Sequence, residues 1–117
     1  MRGARVLVVE DEALLAMTLE DWLREWGFDV VGPAMTLAAA RELAGSAAID
    51  VAILDVNLVG EASYPVAELL AGRGIPYLFA TGYGSAAEER AGPGIQVLHK
   101  PYRGEELRGA VTALLRQ

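Results

Sequence analysis

Val51-Ala52-Ile53-Leu54-Asp55 is an apolar run that stops abruptly on an acid. Four apolar residues with β-branching at Val51 and Ile53 suit a strand covered on both faces, as in a parallel sheet. The following Val56-Asn57-Leu58-Val59-Gly60 has no helical period and reads as a loop. A buried strand of this kind delivers a carboxylate to its carboxyl end, which is where open α/β sheets place their chemistry.

A second run, Arg5-Val6-Leu7-Val8-Val9, ends on Glu10, Asp11 and Glu12, so two strands bring acids to the same end. Leu15, Leu19, Trp22, Leu23 and Trp26 then recur at helical spacing up to Gly27, with the tryptophans read as core packing. Phe28-Asp29-Val30-Val31-Gly32-Pro33 reads as a less apolar strand, a candidate edge, closed by the Gly-Pro break. Thr36 is placed to cap a helix that uses Ala40, Leu43, Ala44 and Ala47.

Beyond Asp55, Pro65 suits the first turn of a helix carrying Val66, Leu69 and Leu70 and ending at Gly72-Arg73-Gly74. Pro76-Tyr77-Leu78-Phe79-Ala80-Thr81 is the next strand and runs into Gly82-Tyr83-Gly84. Ser85-Ala86-Ala87-Glu88 fits a capping box for a helix with few apolar anchors, cut off by Gly92-Pro93-Gly94 and expected to be the most mobile. Ile95-Gln96-Val97-Leu98-His99 is a fifth strand ending at Lys100-Pro101. Leu107, Ala110, Val111 and Leu114 define the last helix, with Glu105 and Glu106 near its positive end.

Strand and helix alternate five times with no linker or repeat, so residues 1–117 read as one α/β domain. Right-handed crossovers give an open parallel sheet with helices on both faces, a flavodoxin-like (βα)5 three-layer sandwich of strand order 2-1-3-4-5. No G-x-G-x-x-G follows the first strand, which argues against a Rossmann dinucleotide site.

The bulk composition narrows the function. Sixteen acids against ten bases give a net charge of −6, which argues against direct nucleic-acid binding. With no cysteine, disulfides and thiolate metal sites are excluded. Apolar runs fall short of the roughly 18 residues of a membrane span, and Met1-Arg2-Gly3-Ala4 leads straight into a strand, so a soluble cytoplasmic protein is expected.

The predicted strand order brings Glu10, Asp11, Asp55, Thr81 and Lys100, the chain's only lysine, to one edge. Like charges about 4 Å apart repel by about 4 kcal/mol at an effective dielectric near 20, so positive charge must sit among those acids. Lys100 supplies one charge and Mg²⁺ can supply more, since it prefers carboxylates, a carbonyl and phosphate oxygens. A carboxylate so placed can attack phosphorus to form an acyl phosphate, with the metal, the ammonium and the threonine hydroxyl receiving the oxygens.

These residues resemble the receiver domain of two-component response regulators over the whole chain: the pair Glu10-Asp11, Asp55, Thr81 and Lys100-Pro101 fall after the first, third, fourth and fifth strands. The resemblance implies that Asp55 is the phosphoacceptor, fed by a histidine kinase or phosphotransfer protein. It implies that Glu10, Asp11, Asp55 and the Asn57 backbone carbonyl hold Mg²⁺, that Lys100 pairs with the phosphoryl group, that Thr81 is the switch hydroxyl and that the Lys100-Pro101 bond is cis. Such a domain catalyses its own phosphorylation and dephosphorylation without being a classical enzyme.

Two positions depart from the common pattern. Val97 stands where receivers typically carry a switch aromatic, three residues before the lysine, and Val59 where a proline is often found. Phe79-Ala80-Thr81-Gly82-Tyr83-Gly84 resembles the FAT GUY subgroup, and Tyr83, flanked by Gly82 and Gly84, is the candidate replacement for the missing ring. His99, the single histidine, reads as strand packing or a solvent-facing residue.

Output is expected through a protein partner on the face formed by the fourth helix, fifth strand and fifth helix, by a monomer or a phosphorylation-dependent dimer. With the last helix ending at Gln117, the alternatives are a phosphate relay or sink, or a piece of a larger regulator. A phosphorylation-independent binding module and an aspartyl-phosphate hydrolase are the competing classes. The hydrolase is disfavoured by Asn57, where such enzymes commonly carry a second aspartate.

Overall fold

In the computed structural model, which describes residues 3–58, 60–82 and 95–116, the Val51–Asp55 strand lies at the centre of the molecule with every residue buried. It is β3, and β1 (Arg5–Val9) and β6 (Tyr77–Thr81) flank it in parallel, with Val6 opposite Val51 and Asp55 opposite Ala80. The edges are β2 (Asp29–Ala34) beside β1 and β7 (Val97–His99) beside β6. The order β2-β1-β3-β6-β7 is the expected doubly wound arrangement, with β2 on the edge that its weaker apolar character suggested.

Side-chain alternation explains why β3 is apolar throughout. Val51 and Ile53 point into a core shared with Val6, Val8, Leu78 and Leu98, covered by α1 (Ala13–Glu25) and α4 (Gly104–Leu115). Ala52 and Leu54 point the other way, toward Leu7, Val9 and Phe79, where α2 (Leu37–Ser46) and α3 (Tyr64–Gly72) lie. Ala40 and Ala44 of α2 are fully buried, so that helix sits close to the sheet. Thr36 caps it as expected, its hydroxyl accepting from the Ala39 amide at 3.1 Å. Pro65 occupies the first turn of α3, and Arg73 at its end donates to the Ala44 and Ala47 carbonyls at 2.7 and 2.8 Å. Trp22 stacks on Trp26 at 6.1 Å beside the first core, which is the packing role the helical spacing indicated.

Two local expectations are corrected. The Gly32-Pro33 pair does not close β2, which continues to Ala34 and pairs that residue with Val9 after a register shift. Proline lacks the N–H of a ladder and is tolerated at an edge irregularity of this kind. Gly32 is obligatory there: its φ is +92°, and a Cβ would lie 2.7 Å from the Ala34 nitrogen and 3.1 Å from the Val8 oxygen. The second correction is in the loop after Asp55. Asn57–Leu58 (β4) pairs antiparallel with Glu61–Ala62 (β5), strands too short to show alternation in sequence.

The helix expected from Ser85 lies outside the described residues, as do Tyr83 and Val59. No helix among the described residues is long and apolar enough to cross a membrane.

Candidate phosphoacceptor site

Each acid of the site is fixed by the strand it follows. Glu10 leaves β1 fully buried, with its amide donating to the Ala34 carbonyl at 3.0 Å. One carboxylate oxygen of Glu10 accepts from the Glu12 amide at 3.1 Å, and the other accepts from Lys100 Nζ at 3.0 Å. Asp55 closes β3 and is also buried, with Oδ1 accepting from the Asn57 amide at 3.4 Å and Oδ2 3.3 Å from Lys100 Nζ. The hairpin starting at Asn57 therefore folds back against the acid it follows. Asp11 completes the group: carboxylate oxygens of Glu10, Asp11 and Asp55 all lie within 4.8 Å of one another.

Lys100 arrives from the far side of the sheet. Its backbone amide donates to the Thr81 carbonyl at 2.8 Å, which ties the end of β7 to the end of β6. The Lys100-Pro101 bond is cis. Thr81 is fully buried at that junction and Gly82 lines the cleft beyond it, a recess of about 240 Å³ shared with Asp11, Glu12, Asp55, Asn57 and Lys100. The structure thus brings Glu10, Asp11, Asp55, Asn57, Thr81 and Lys100 to one edge. Val97 is half-buried opposite Phe79 in the neighbouring strand, and His99 is exposed.

Burial, and after it the Glu10 carboxylate, pushes Asp55 up to about 7 from the ordinary 3.8, against the pull of Lys100. Burial works against the charge of Lys100 as well, but Glu10 and Asp55 outweigh it and hold the ammonium above its usual value. Lys100 is thus shared between the Glu10 and Asp55 carboxylates. The donor set is all oxygen, with no histidine or cysteine, and suits a hard divalent cation such as Mg²⁺.

Comparison with known proteins turns this geometry into a family assignment. The profile described as the response regulator receiver domain matches residues 6–112. The chain belongs to that family. Nodulation protein W of Bradyrhizobium diazoefficiens is 34% identical over 94% of this chain and 50% of its own length. The solution structure of SdrG from Sphingomonas melonis Fr1 is 44% identical with a TM-score of 0.83, covering 97% of each chain. The BeF3-activated conformation of SdrG, from Pseudomonas melonis Fr1, is 42% identical with a TM-score of 0.76, over 98% of this chain and 99% of that one. This chain spans half or less of the length of the curated relatives it matches. The finer FAT GUY likeness rests partly on residues 83 and 84, which are not described.

Two further residues of this receiver domain join the site without a role having been read for them in the sequence. Glu12, exposed at the start of α1, lies 3.8 Å from Lys100 Nζ and borders the phosphoacceptor recess. A larger groove of about 620 Å³ begins on its other side, lined by Leu14, Leu15, Thr18, Pro101 and Tyr102. Leu14 is 81% exposed and Met17 58% exposed along the same helix. Glu12 could have been suspected from its place beside the acid pair; Tyr102 gives no signal beyond following Pro101.

Proposed function

We propose that this receiver domain accepts a phosphoryl group on Asp55 from a histidine kinase or phosphotransfer protein, with Mg²⁺, and changes its protein contacts as a result. The observation that carries the reading is the buried Asp55 carboxylate, 3.3 Å from Lys100 and within 4.8 Å of two further acids. A purely structural acid in that position would gain nothing from having its charge opposed by burial and by Glu10.

In the reaction an Asp55 oxygen attacks phosphorus, the bond from phosphorus to the donor nitrogen breaks, and the imidazole keeps that electron pair. An acyl phosphate results. Glu10, Asp11, Asp55 and the Asn57 carbonyl would hold Mg²⁺, which when bound supplies neutralising charge to the phosphoryl oxygens. Lys100 would meet another of those oxygens, and the Thr81 hydroxyl the third. Asp55 must be ionised to attack, so a cation in the recess also favours the reactive form by drawing its pKa down from about 7.

The test uses acetyl phosphate and Mg²⁺ with intact-mass detection on wild type and Asp55→Asn. A persistent Asp55-dependent adduct supports the receiver reading. Rapid turnover of donor without an adduct points to a hydrolase, and no adduct and no turnover to a phosphorylation-independent binding module.

Glu12 and Leu14 should separate small donors from protein donors. An exposed acid roughly 6 Å from an incoming anion costs about 0.7 kcal/mol at water's dielectric, so Glu12→Gln should speed phosphorylation by acetyl phosphate roughly threefold, less at high salt. Leu14→Gln, which adds no charge, should leave the acetyl phosphate rate at its wild-type value and slow transfer from a protein donor that covers the exposed apolar side of α1. Equal rates with acetyl phosphate for Glu12→Gln and wild type at low salt would remove Glu12 from the account.

Output is assigned to the face that contains β7 and α4 together with the segment between β6 and β7, in a monomer or a phosphorylation-dependent dimer. The partner on that face is a protein of the signalling pathway.

A further inference from the structure

The segment that follows Asp55 folds back on itself. Asn57 pairs with Ala62 and Leu58 with Glu61, which leaves a two-residue connection at 59–60. One step further out, the Ser63 amide donates to the Val56 carbonyl at 2.8 Å. Hydrogen-bonded and non-hydrogen-bonded pairs alternate along an antiparallel ladder, so the bonded contact of Val56 with Ser63 makes Asn57 and Ala62 a pair of the second kind. The N–H and C=O of Asn57 therefore both point away from β5, to the same side of β4. The N–H marks that side, since it donates to Asp55 Oδ1 at 3.4 Å. The Asn57 carbonyl is turned the same way, at the recess that Asp55, Asp11 and Lys100 also line.

This orientation is only as secure as the hairpin that sets it. Leu58 anchors β4, at 1% exposure within the core on the α2 and α3 side of the sheet. Both residues of β5 are exposed, so the outer strand has no core of its own and depends on the ladder and on the connection. Gly60 in that connection has a φ of +84°. Glycine adopts that conformation readily and asparagine tolerates it, whereas alanine and above all β-branched residues resist it. A Cβ on Gly60 would meet nothing within 4 Å, so the backbone angle and not space is what calls for glycine.

We propose that Gly60 is a positioning residue of the phosphoacceptor site: its positive φ fixes the hairpin register that turns the Asn57 carbonyl to the Asp55 side, where a divalent cation can use it. The inference rests on the reading of this edge as a Mg²⁺ site. The cation affinity of three acids is then set in part by an exposed glycine that does not line their recess.

The test titrates Mg²⁺ into wild type, Gly60→Asn, Gly60→Ala and Gly60→Val. Binding is read from the Asn57 carbonyl carbon by NMR, and each protein is melted with and without Mg²⁺. The wild-type resonance should move with Mg²⁺. Affinity should fall in the order glycine, asparagine, alanine, valine, with asparagine within about twofold of wild type and valine weaker by roughly tenfold, as for residues that orient a metal ligand. That order follows tolerance of positive φ, whereas side-chain size would rank alanine ahead of asparagine. The asparagine and alanine variants decide between the two orders even if the valine variant does not fold. Equal affinities across the folded series would leave Gly60 a purely structural role and overturn the proposal, as would a decline in order of size. An Asn57 carbonyl that stays still while Mg²⁺ raises the wild-type melting temperature would also overturn it. If Mg²⁺ neither moves that resonance nor raises the melting temperature of wild type, the Mg²⁺ reading itself falls and this inference with it.

Discussion

Replacing Lys100 by methionine should both destabilise the free protein and suppress phosphorylation. Its ammonium lies 3.0 Å from Glu10 and 3.3 Å from Asp55, and the Glu10 carboxylate is 1% exposed. Removing one partner of a buried pair costs about 3–5 kcal/mol, because the remaining charge has no compensation. The Lys100 side chain is 20% exposed, which places the loss nearer the lower end of that range. The folded-state pKa of Lys100 is raised, so its contribution is complete below the unfolded lysine value of 10.5 and is fully present at pH 8. Thermal melts at pH 8 should show the loss, and Mg²⁺ should recover more stability in Lys100→Met than in wild type. The phosphorylation rate should fall on the order of a hundredfold, as when one donor to a developing anion is removed. A variant as stable as wild type at pH 8, with a normal rate, would mean that Lys100 is not the counter-charge of the site.

Asp55→Asn should have the opposite effect on stability. The folded pKa of Asp55, about 7, lies above the ordinary 3.8, so the folded protein holds that proton more tightly than the unfolded chain. Its contribution is greatest below pH 3.8 and is lost as pH rises through about 7. At pH 8 the wild type therefore carries the full electrostatic cost of the charged carboxylate, and the neutral amide does not. The variant should be more stable than wild type by about 3 kcal/mol at pH 8, roughly 10 °C in melting temperature, and by about a third of that at pH 5. Mg²⁺ should narrow the difference by stabilising wild type alone. A pH-independent gap between the two proteins would show that Asp55 titrates normally.

How much of this was legible in the sequence follows from which interactions are local. The central strand was readable because every one of its residues is buried, so an unbroken apolar run and its terminal acid had a single physical meaning. Thr36 and Pro65 marked their helix starts because capping depends on neighbours within a turn. The acids and Lys100 were found because strand ends are local features and strand order follows from handed crossovers. The Asn57–Leu58 hairpin was missed because pairing of two-residue strands is decided by the turn at Gly60, whose φ is +84°, and not by periodicity. Pro33 was read as a stop because proline breaks ladders in general. At an edge strand its missing N–H costs little.

Glu12 is only half legible, as a third acid beside the pair, and Tyr102 is not legible at all. Their surroundings depend on contacts across the fold, with Lys100 for Glu12 and with Trp22 for Tyr102. The valine at position 97 is, by contrast, visible in the sequence itself; it is half-buried and lies opposite Phe79, which is packed against Tyr64 and Tyr77 at 5.5 and 5.6 Å.

The most direct measurement is the chemical identity of residue 55 after exposure to a phosphodonor. Borohydride reduces an aspartyl acyl phosphate to homoserine, which peptide mass spectrometry locates by position. After incubation with acetyl phosphate and Mg²⁺, homoserine should appear at position 55 in wild type, decrease when Mg²⁺ is chelated, and be absent without donor. Unmodified aspartate at position 55 under those conditions, or homoserine only at another acid, would contradict the assignment of Asp55 as the phosphoacceptor.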